Sequence, residues 1–484
     1  MTERKASRYN IAVPAGDDMD MLLFNSATRS LLRVDTESFE AVRSLFHDGT
    51  RGLARDHAVP VPGDLDAELA AVLEDGGFMV PRDLDEVATL RRAFEASRWS
   101  RDLGFTIGMT MACNFACPYC FEEHRPEHMT RETADAVVAF IVERIARVQA
   151  RSVHVNWFGG EPLLNLDVLC ELSSRLRAEA ARAGASYASL AITNGALLTR
   201  TVAERLAASG VGVVQVTLDG PRDVHDARRP FKGGQPSFDR IVANLREVGN
   251  AIRVIVRVNV DRENHPRVGE LVDALADAGV LAAGGVERIY AGKLTAYTEQ
   301  VKLVGDTIIQ HDLPSLDTPI RASLAGRGLS APAEQVVLAG PPNRGGCSAM
   351  TDDSFVIGPR GHLFKCELGI HDVGEAIGAV AGSEADESVP QVPTTRRGRR
   401  LPVVGAAVGS KAHDWRAYNP FDNVKCSGCQ FAPLCKGGCP KRVLEQDTAF
   451  MQETCDYWDH NIARFIRQLA EDDPGAARDA VTNA

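Results

Sequence analysis

Ten of the eleven cysteines in this 484-residue chain are bunched. Cys113, Cys117 and Cys120 share one short loop, CNFACPYC, spaced four and then three apart. Cys347, Cys366, Cys426, Cys429, Cys435, Cys439 and Cys455 all follow residue 346. Cys170 stands apart in a helix-like stretch, where a small core residue is the expectation. Thiols at short spacings in a long chain point to metal or cluster ligation, rather than to the disulfide framework of a small secreted protein. Three thiolates suit a cubane [4Fe–4S] cluster at three of its four irons, leaving the fourth open to an exogenous ligand. Structural zinc is the competing chemistry. It wants four protein ligands, and His124, four residues after Cys120, could be the fourth.

Regular elements must hold such a loop. From residue 104 apolar, β-branched stretches alternate with amphipathic ones: LGFTIGMTM, VHVNWF, SLAITN, GVVQVTLD, IRVIVRVNV and GVERIYA read as strands, with five helical stretches between them. The pattern predicts an α/β fold with a parallel sheet covered by helices. Two units short of a closed (β/α)8 barrel, it is a partial (β/α)6 barrel. Reactive groups of such folds collect at the C-terminal ends of the strands, and the cysteine loop follows the first strand directly. The next strands end in FGGEPLL (Gly159, Gly160, Glu161, Pro162), ITNG (Thr193, Asn194), TLDGPRDVHDARR (Asp219, His225, Arg229) and VRVNVDREN (Arg257, Asn259, Asp261). Any one of these polar groups could merely cap the following helix.

Residues 1–98 read as a hairpin, two helices and a strand, with Thr36 or Ser38 near the first helix start. This is a small α+β, winged-helix-like module, serving either as a cap on the main domain or as a docking site for a peptide. Residues 99–295 form the barrel, 296–345 a helical bridge, and 346–484 a cysteine-rich Fe–S domain ending in an amphipathic helix. The Pro-, Gly- and Arg-rich stretch VPTTRRGRRLPVVG is expected to be an exposed insertion. A net charge of −11 argues against nucleic-acid binding. No run of about 18 apolar residues is present, so no membrane span is expected. The opening MTERKASRYN lacks an apolar signal-peptide core, which makes the cytoplasm the expected location.

The spacing Cys-x3-Cys-x2-Cys with Tyr119 before the last cysteine, followed one β/α unit later by Gly159-Gly160-Glu161-Pro162, resembles the radical S-adenosylmethionine (radical SAM) enzymes. The resemblance implies that the GGE segment holds the SAM ammonium beside the open iron. It places Tyr119, Thr193, Asn194 and Asp219 at the cofactor, with Arg257 as an anionic contact. It implies that an electron from a flavodoxin- or ferredoxin-type donor enters the cluster, that SAM is cleaved to methionine and a 5′-deoxyadenosyl radical, and that the radical takes hydrogen from substrate.

The later block, C-x2-C-x5-C-x3-C-x15-C preceded by Gly361-x4-Cys366, resembles the SPASM extension of the same family. That resemblance implies two auxiliary [4Fe–4S] clusters, three in all. Cys426, Cys429, Cys435 and Cys455 would hold one. Cys347, Cys366 and Cys439 would hold the other, one cysteine short. A substrate thiolate could fill that place, as could a carboxylate, a backbone atom or water. Glu367 falls where sulfatase-maturing members have a base. The implied function is maturation of a ribosomally made precursor peptide, its leader captured by the N-terminal module, through an intramolecular thioether or carbon–carbon cross-link. Formylglycine formation in a sulfatase, peptide epimerisation, and a zinc-loaded, non-catalytic peptide-binding scaffold are the rivals.

Overall fold

The computed structural model describes residues 3–16, 20–46, 59, 61–63, 65–295, 315–329, 347–385, 410–472 and 477–479. The basic run at 396–400 and most of the bridge at 296–345 lie outside the described residues. The chain forms two compact units. One comprises Met1–Arg98, Ala333–Cys347 and Tyr418–Ala484; the other comprises Trp99–Pro332 and Ser348–Ala417.

The first unit begins with β1 (Arg4–Ala6), β2 (Asn10–Pro14), β3 (Met21–Asn25), β4 (Leu31–Val34), α1 (Thr36–Val42), α2 (Ala67–Asp75), β5 (Met79–Pro81) and α3 (Glu86–Ser97). β3 and β4 pair antiparallel, as do β2 and β3, and β2 forms one edge of the sheet. The first helix starts at Thr36, as expected, and Asp35 just before it is the cap, its carboxylate accepting from Ser38 N at 2.7 Å. These strands are apolar at successive positions because both faces of the sheet are covered. Ala12, Leu23 and Leu32 face Phe39, Val42, Leu69 and Leu73 of α1 and α2. Ile11, Val13, Leu22, Phe24 and Leu31 face Ile462, Phe465, Ile466 and Leu469 of the helix Thr448–Asp472. The N-terminal hairpin therefore shares one core with the C-terminal helix of the chain.

The second unit is built on β6 (Asp102–Thr110), α4 (Arg131–Val148), β7 (Ser152–Gly159), α5 (Leu166–Arg182), β8 (Ser186–Thr193), α6 (Arg200–Ser209), β9 (Val213–Thr217), α7 (Arg222–Arg228), α8 (Phe238–Val248), β10 (Arg253–Val260), α9 (Val268–Asp277), β11 (Val286–Lys293) and α10 (Thr318–Gly326). The six strands β6 to β11 lie parallel and in chain order, as the alternation predicts. The sheet then continues beyond β6, which the sequence reading lacks: β12 (Phe355–Ile357) pairs parallel to β6, and β13 (His362–Phe364) and β14 (Gly378–Ala379) add antiparallel. Val153, Val155 and Trp157 of β7 and Val254, Val256 and Val258 of β10 are buried on one face. Their neighbours point the other way: Asn156 is exposed, and Phe158, Ile255, Arg257 and Asn259 stay partly exposed. Among the described residues no helix is long and apolar enough to cross a membrane.

β12 is pinned by a buried charge. Asp353, just before it, meets Arg144 of α4 at 3.3 Å and also Arg147; Arg144 is 1% exposed and lies over Phe140 and Phe355. Removing one member of a buried pair strands the other, so Asp353→Ala is expected to destabilise this unit by about 3–5 kcal/mol. A lower denaturant midpoint for unfolding checks this; an unchanged midpoint would show that the pair is not what holds β12.

Candidate active site

The three thiols sit at the C-terminal end of β6, in a loop clamped from two sides. On one side is the end of β7. Gly160 N donates to Thr110 O at 2.9 Å, and Glu161 N donates to Ala112 O at 2.8 Å. This approach leaves no room for a side chain. A Cβ on Gly159 would lie 2.2 Å from Thr110 O, and one on Gly160 2.4 Å from Ala112 O; Gly159 also has φ +121°. The paired glycines are thus the residues that let the loop lie on the strand end. On the other side, Ala116 N donates to Pro230 O and Lys232 N to Asn114 O, both at 2.9 Å, and Phe115 meets Phe231 edge-on at 4.9 Å.

Cys113, Cys117 and Cys120 are free and partly buried. Phe115 N donates to Cys113 Sγ at 3.4 Å, and Cys120 N to Cys117 O at 3.1 Å. Burial pushes the thiols of Cys113 and Cys120 up to about 12 and raises that of Cys117, so they are neutral until a metal displaces the proton. Cys113 feels Cys117, and Cys120 feels both of the others. His124 Nε2 lies 3.6 Å from Cys120 Sγ. Among the described residues no three His, Cys, Asp or Glu side chains converge as they would around a single ion. The thiols of a cubane bind separate irons and need no such convergence. Glu122 is 8% exposed, its carboxylate has no hydrogen-bond partner, and burial pushes it up to about 8.

The strand ends bring most of the expected polar residues to this loop. Glu161 is fully buried and accepts from Thr193 Oγ1 at 2.7 Å, Asn194 N at 2.8 Å and Leu163 N at 3.1 Å. It thereby ties the end of β7 to the end of β8, a structural duty the motif does not announce. Burial raises its pKa. Pro162 opens the following turn of 3-10 helix. Asn194 Nδ2 donates to Asn114 Oδ1 at 2.7 Å and stands 4.0 Å from Cys113 Sγ. The Tyr119 hydroxyl is buried and donates to Asp219. Asp219 also meets Arg228 at 3.4 Å, and Arg228 meets Asp261 at 2.7 Å. His225 is fully buried between Asp219 N and Ser237 Oγ, and burial keeps it neutral. Arg257 bonds Asn259 Oδ1 at 2.9 Å and lies across Gly292, where a Cβ would meet its guanidinium at 3.0 Å. By register it shares a row with Thr217 and Tyr290.

Arg228, Gln215 and Tyr290 have no sequence signal of their own. Gln215 and Tyr290 bond at 2.8 Å across β10, a pairing only the strand order reveals.

Of the later cysteines, Cys426, Cys429, Cys435 and Cys455 lie together within the first unit. Burial, and then the neighbouring thiols, push Cys426 up to about 11 and Cys435 up to about 12. The Tyr418 phenol feels Cys426, Cys435, Cys439 and Cys347. Gly437 and Gly438 carry the chain between Cys435 and Cys439 at φ +79° and +76°. Cys366 follows β13 in the second unit, and Gly361 is the turn glycine between β12 and β13. Glu367 is exposed. Cys170 is partly exposed, not core. Leu169, Leu172 and Leu176 take the buried face of α5, and Cys170 lies about 100° round the helix, its Sγ 3.9 Å from Arg205 O.

Residues 107–282 match the radical SAM superfamily. The chain is similar to Fe-coproporphyrin III synthase of Methanosarcina barkeri, with 28% identity over 185 residues, 38% of this chain and 44% of that protein's length. Its similarity to mycofactocin maturase MftC of Mycolicibacterium smegmatis is 27% over 351 residues, 68% of this chain and 76% of that one. Among solved structures, native anSMEcpe with bound AdoMet and Cp18Cys peptide has the same fold at TM-score 0.52 and 16% identity, covering 77% of this chain and 99% of its own. The loop of three thiols, the glycine pair that seats it and the parallel sheet beneath agree with the matched span: this chain carries a radical SAM domain over residues 107–282.

Proposed function

We propose that this protein is a SPASM-type radical SAM maturase that forms an intramolecular thioether or carbon–carbon cross-link in a ribosomally made precursor peptide. The observation that carries the reading is the cysteine loop locked onto the Gly159–Gly160 strand end, with the polar ends of β8, β9 and β10 beside it. When bound, the cluster and SAM supply a 5′-deoxyadenosyl radical that takes a hydrogen atom from the substrate. Cys113, Cys117 and Cys120 would hold the cluster. Gly159 and Gly160 would offer backbone carbonyls to the SAM ammonium, with Glu161 keeping that strand end in place. Tyr119, Thr193, Asn194 and Asp219 would line the cofactor, and Arg257 would meet an anionic group. The partly exposed face of the sheet around Asn156, Phe158 and Arg257 would position the peptide and keep water from the radical.

The four neighbouring thiols of Cys426, Cys429, Cys435 and Cys455 fit one auxiliary [4Fe–4S] cluster. A second, on Cys347, Cys366 and Cys439, rests on chain order and motif alone, as does Glu367 as a base. The N-terminal sheet, with β2 at its edge, suits capture of a leader segment by strand addition. A flavodoxin- or ferredoxin-type donor would supply the electron, and the cytoplasm would be the compartment.

Incubation with SAM, dithionite and the short peptide encoded beside the gene tests this. The expected product is lighter by two hydrogens and carries a cross-link on fragmentation. A serine converted to formylglycine also loses two hydrogens but shows no cross-link. An unchanged mass overturns the cross-link and favours epimerisation. Zinc in place of iron overturns the enzyme reading.

A further inference from the structure

Arg229 is 9% exposed and sits immediately beyond α7, against the cysteine loop. Its Nη1 donates to the Tyr119 hydroxyl at 2.6 Å, and its guanidinium lies 5.9 Å from the Phe115 ring centre. Its Nε has no hydrogen-bond partner. The residues that follow it, Pro230 and Lys232, bond to the backbone of Ala116 and Asn114, between Cys113 and Cys117. The guanidinium is therefore held in place relative to the thiols by main-chain bonds as well as by its own.

The charges around it are unevenly paired. Arg228, its neighbour, is taken up by Asp261 at 2.7 Å and Asp219 at 3.4 Å. Arg229 bonds instead to a neutral phenol. Burial works against its charge, but Cys117, Tyr119 and Asp219 hold it protonated. It acts in turn on both Cys117 and Cys113. The acidic groups nearest the thiols are Asp219 beside Cys117, Glu161 beside Cys113 and Glu122 beside Cys120.

One-electron reduction of an iron–sulfur cluster adds a negative charge. Cluster potentials follow net charge, hydrogen bonding to sulfur and solvent exposure. A guanidinium stays protonated, and a buried charge is screened far less by salt than an exposed one. We propose that Arg229 is a positioning residue that raises the reduction potential of the cluster held by Cys113, Cys117 and Cys120, through a fixed positive charge beside Cys117. The proposal rests on the assignment of that cluster made above.

The test is an EPR-monitored redox titration of the reconstituted full chain without SAM, with dithionite as reductant. The loop cluster is identified as the signal missing from Cys117→Ala. Arg229→Gln is expected to move its midpoint downward by at least a tenfold change in the reduction equilibrium, about 59 mV for one electron, with Arg229→Lys restoring most of the shift. Asp219→Asn removes a negative charge from the same place and is expected to move the midpoint upward. Opposite signs from two buried substitutions would not arise from a loss of packing. An unchanged Arg229→Gln midpoint with iron retained overturns the proposal. If Arg229→Gln fails to take up iron, an unchanged or lowered Asp219→Asn midpoint overturns it. A wild-type protein with no signal sensitive to Cys117→Ala overturns the cluster assignment, and the proposal falls with it.

Discussion

Cys117→Ala is expected to reduce formation of 5′-deoxyadenosine from SAM to background and to lower bound iron by about four per chain, the content of one cubane. A cluster held by three thiols has no spare protein ligand, so loss of one leaves two adjacent irons without a cysteine. No other cysteine can step in locally: the loop contains only Cys113 and Cys120 besides. The comparison is Cys170→Ala. That thiol is partly exposed on α5, its Sγ 3.9 Å from the Arg205 carbonyl and far in sequence from both cysteine groups, and its loss should leave iron and SAM cleavage unchanged. Iron and sulfide analysis with quantification of 5′-deoxyadenosine reads both. Wild-type cleavage by Cys117→Ala would remove the loop from the chemistry.

Gly160→Ala is expected to lower SAM cleavage by about 10²-fold, because small misplacements of reacting groups have effects of that size. The added Cβ would lie 2.4 Å from Ala112 O, 2.7 Å from Ala112 C and 3.0 Å from Met111 O. These are backbone atoms, and no flexible side chain can turn away. Relief requires Ala112 to move, and Cys113 is the next residue. The bond from Glu161 N to Ala112 O would lengthen with it. Gly326→Ala is the matched control: it ends α10 with nothing within 4 Å of the new Cβ, so its activity should equal wild type. Full cleavage by Gly160→Ala would show that the loop tolerates displacement and that the glycine pair is not what seats it.

The loop and the strand ends are legible in the sequence because they are properties of local pattern and chain order. Apolar, β-branched runs separated by helical ones specify β6 to β11, and parallel topology puts every strand end on one side. Cys113, Gly159 and Asn194 must then be neighbours whatever the details of packing. The extension of the sheet by β12, β13 and β14 is not legible in this way. Those strands are two or three residues long, too short to show a period, and they are held by distant partners such as Arg144.

Sequence alone therefore determined the spacing of the three thiols in the loop, the order of the strands and the end of the sheet at which the loop sits. Tertiary structure decided which buried charges meet. Tyr119, Asp219, Arg228, Arg229 and Asp261 are spread over 143 positions of chain, yet form one desolvated network beside the thiols, since a buried charge must find a partner wherever the fold supplies one. It also decided that Glu161 braces β8. And it paired the N-terminal sheet with the helix Thr448–Asp472 at the far end of the chain. Both faces of that sheet are apolar and need cover, but chain order does not say which amphipathic helix will provide it.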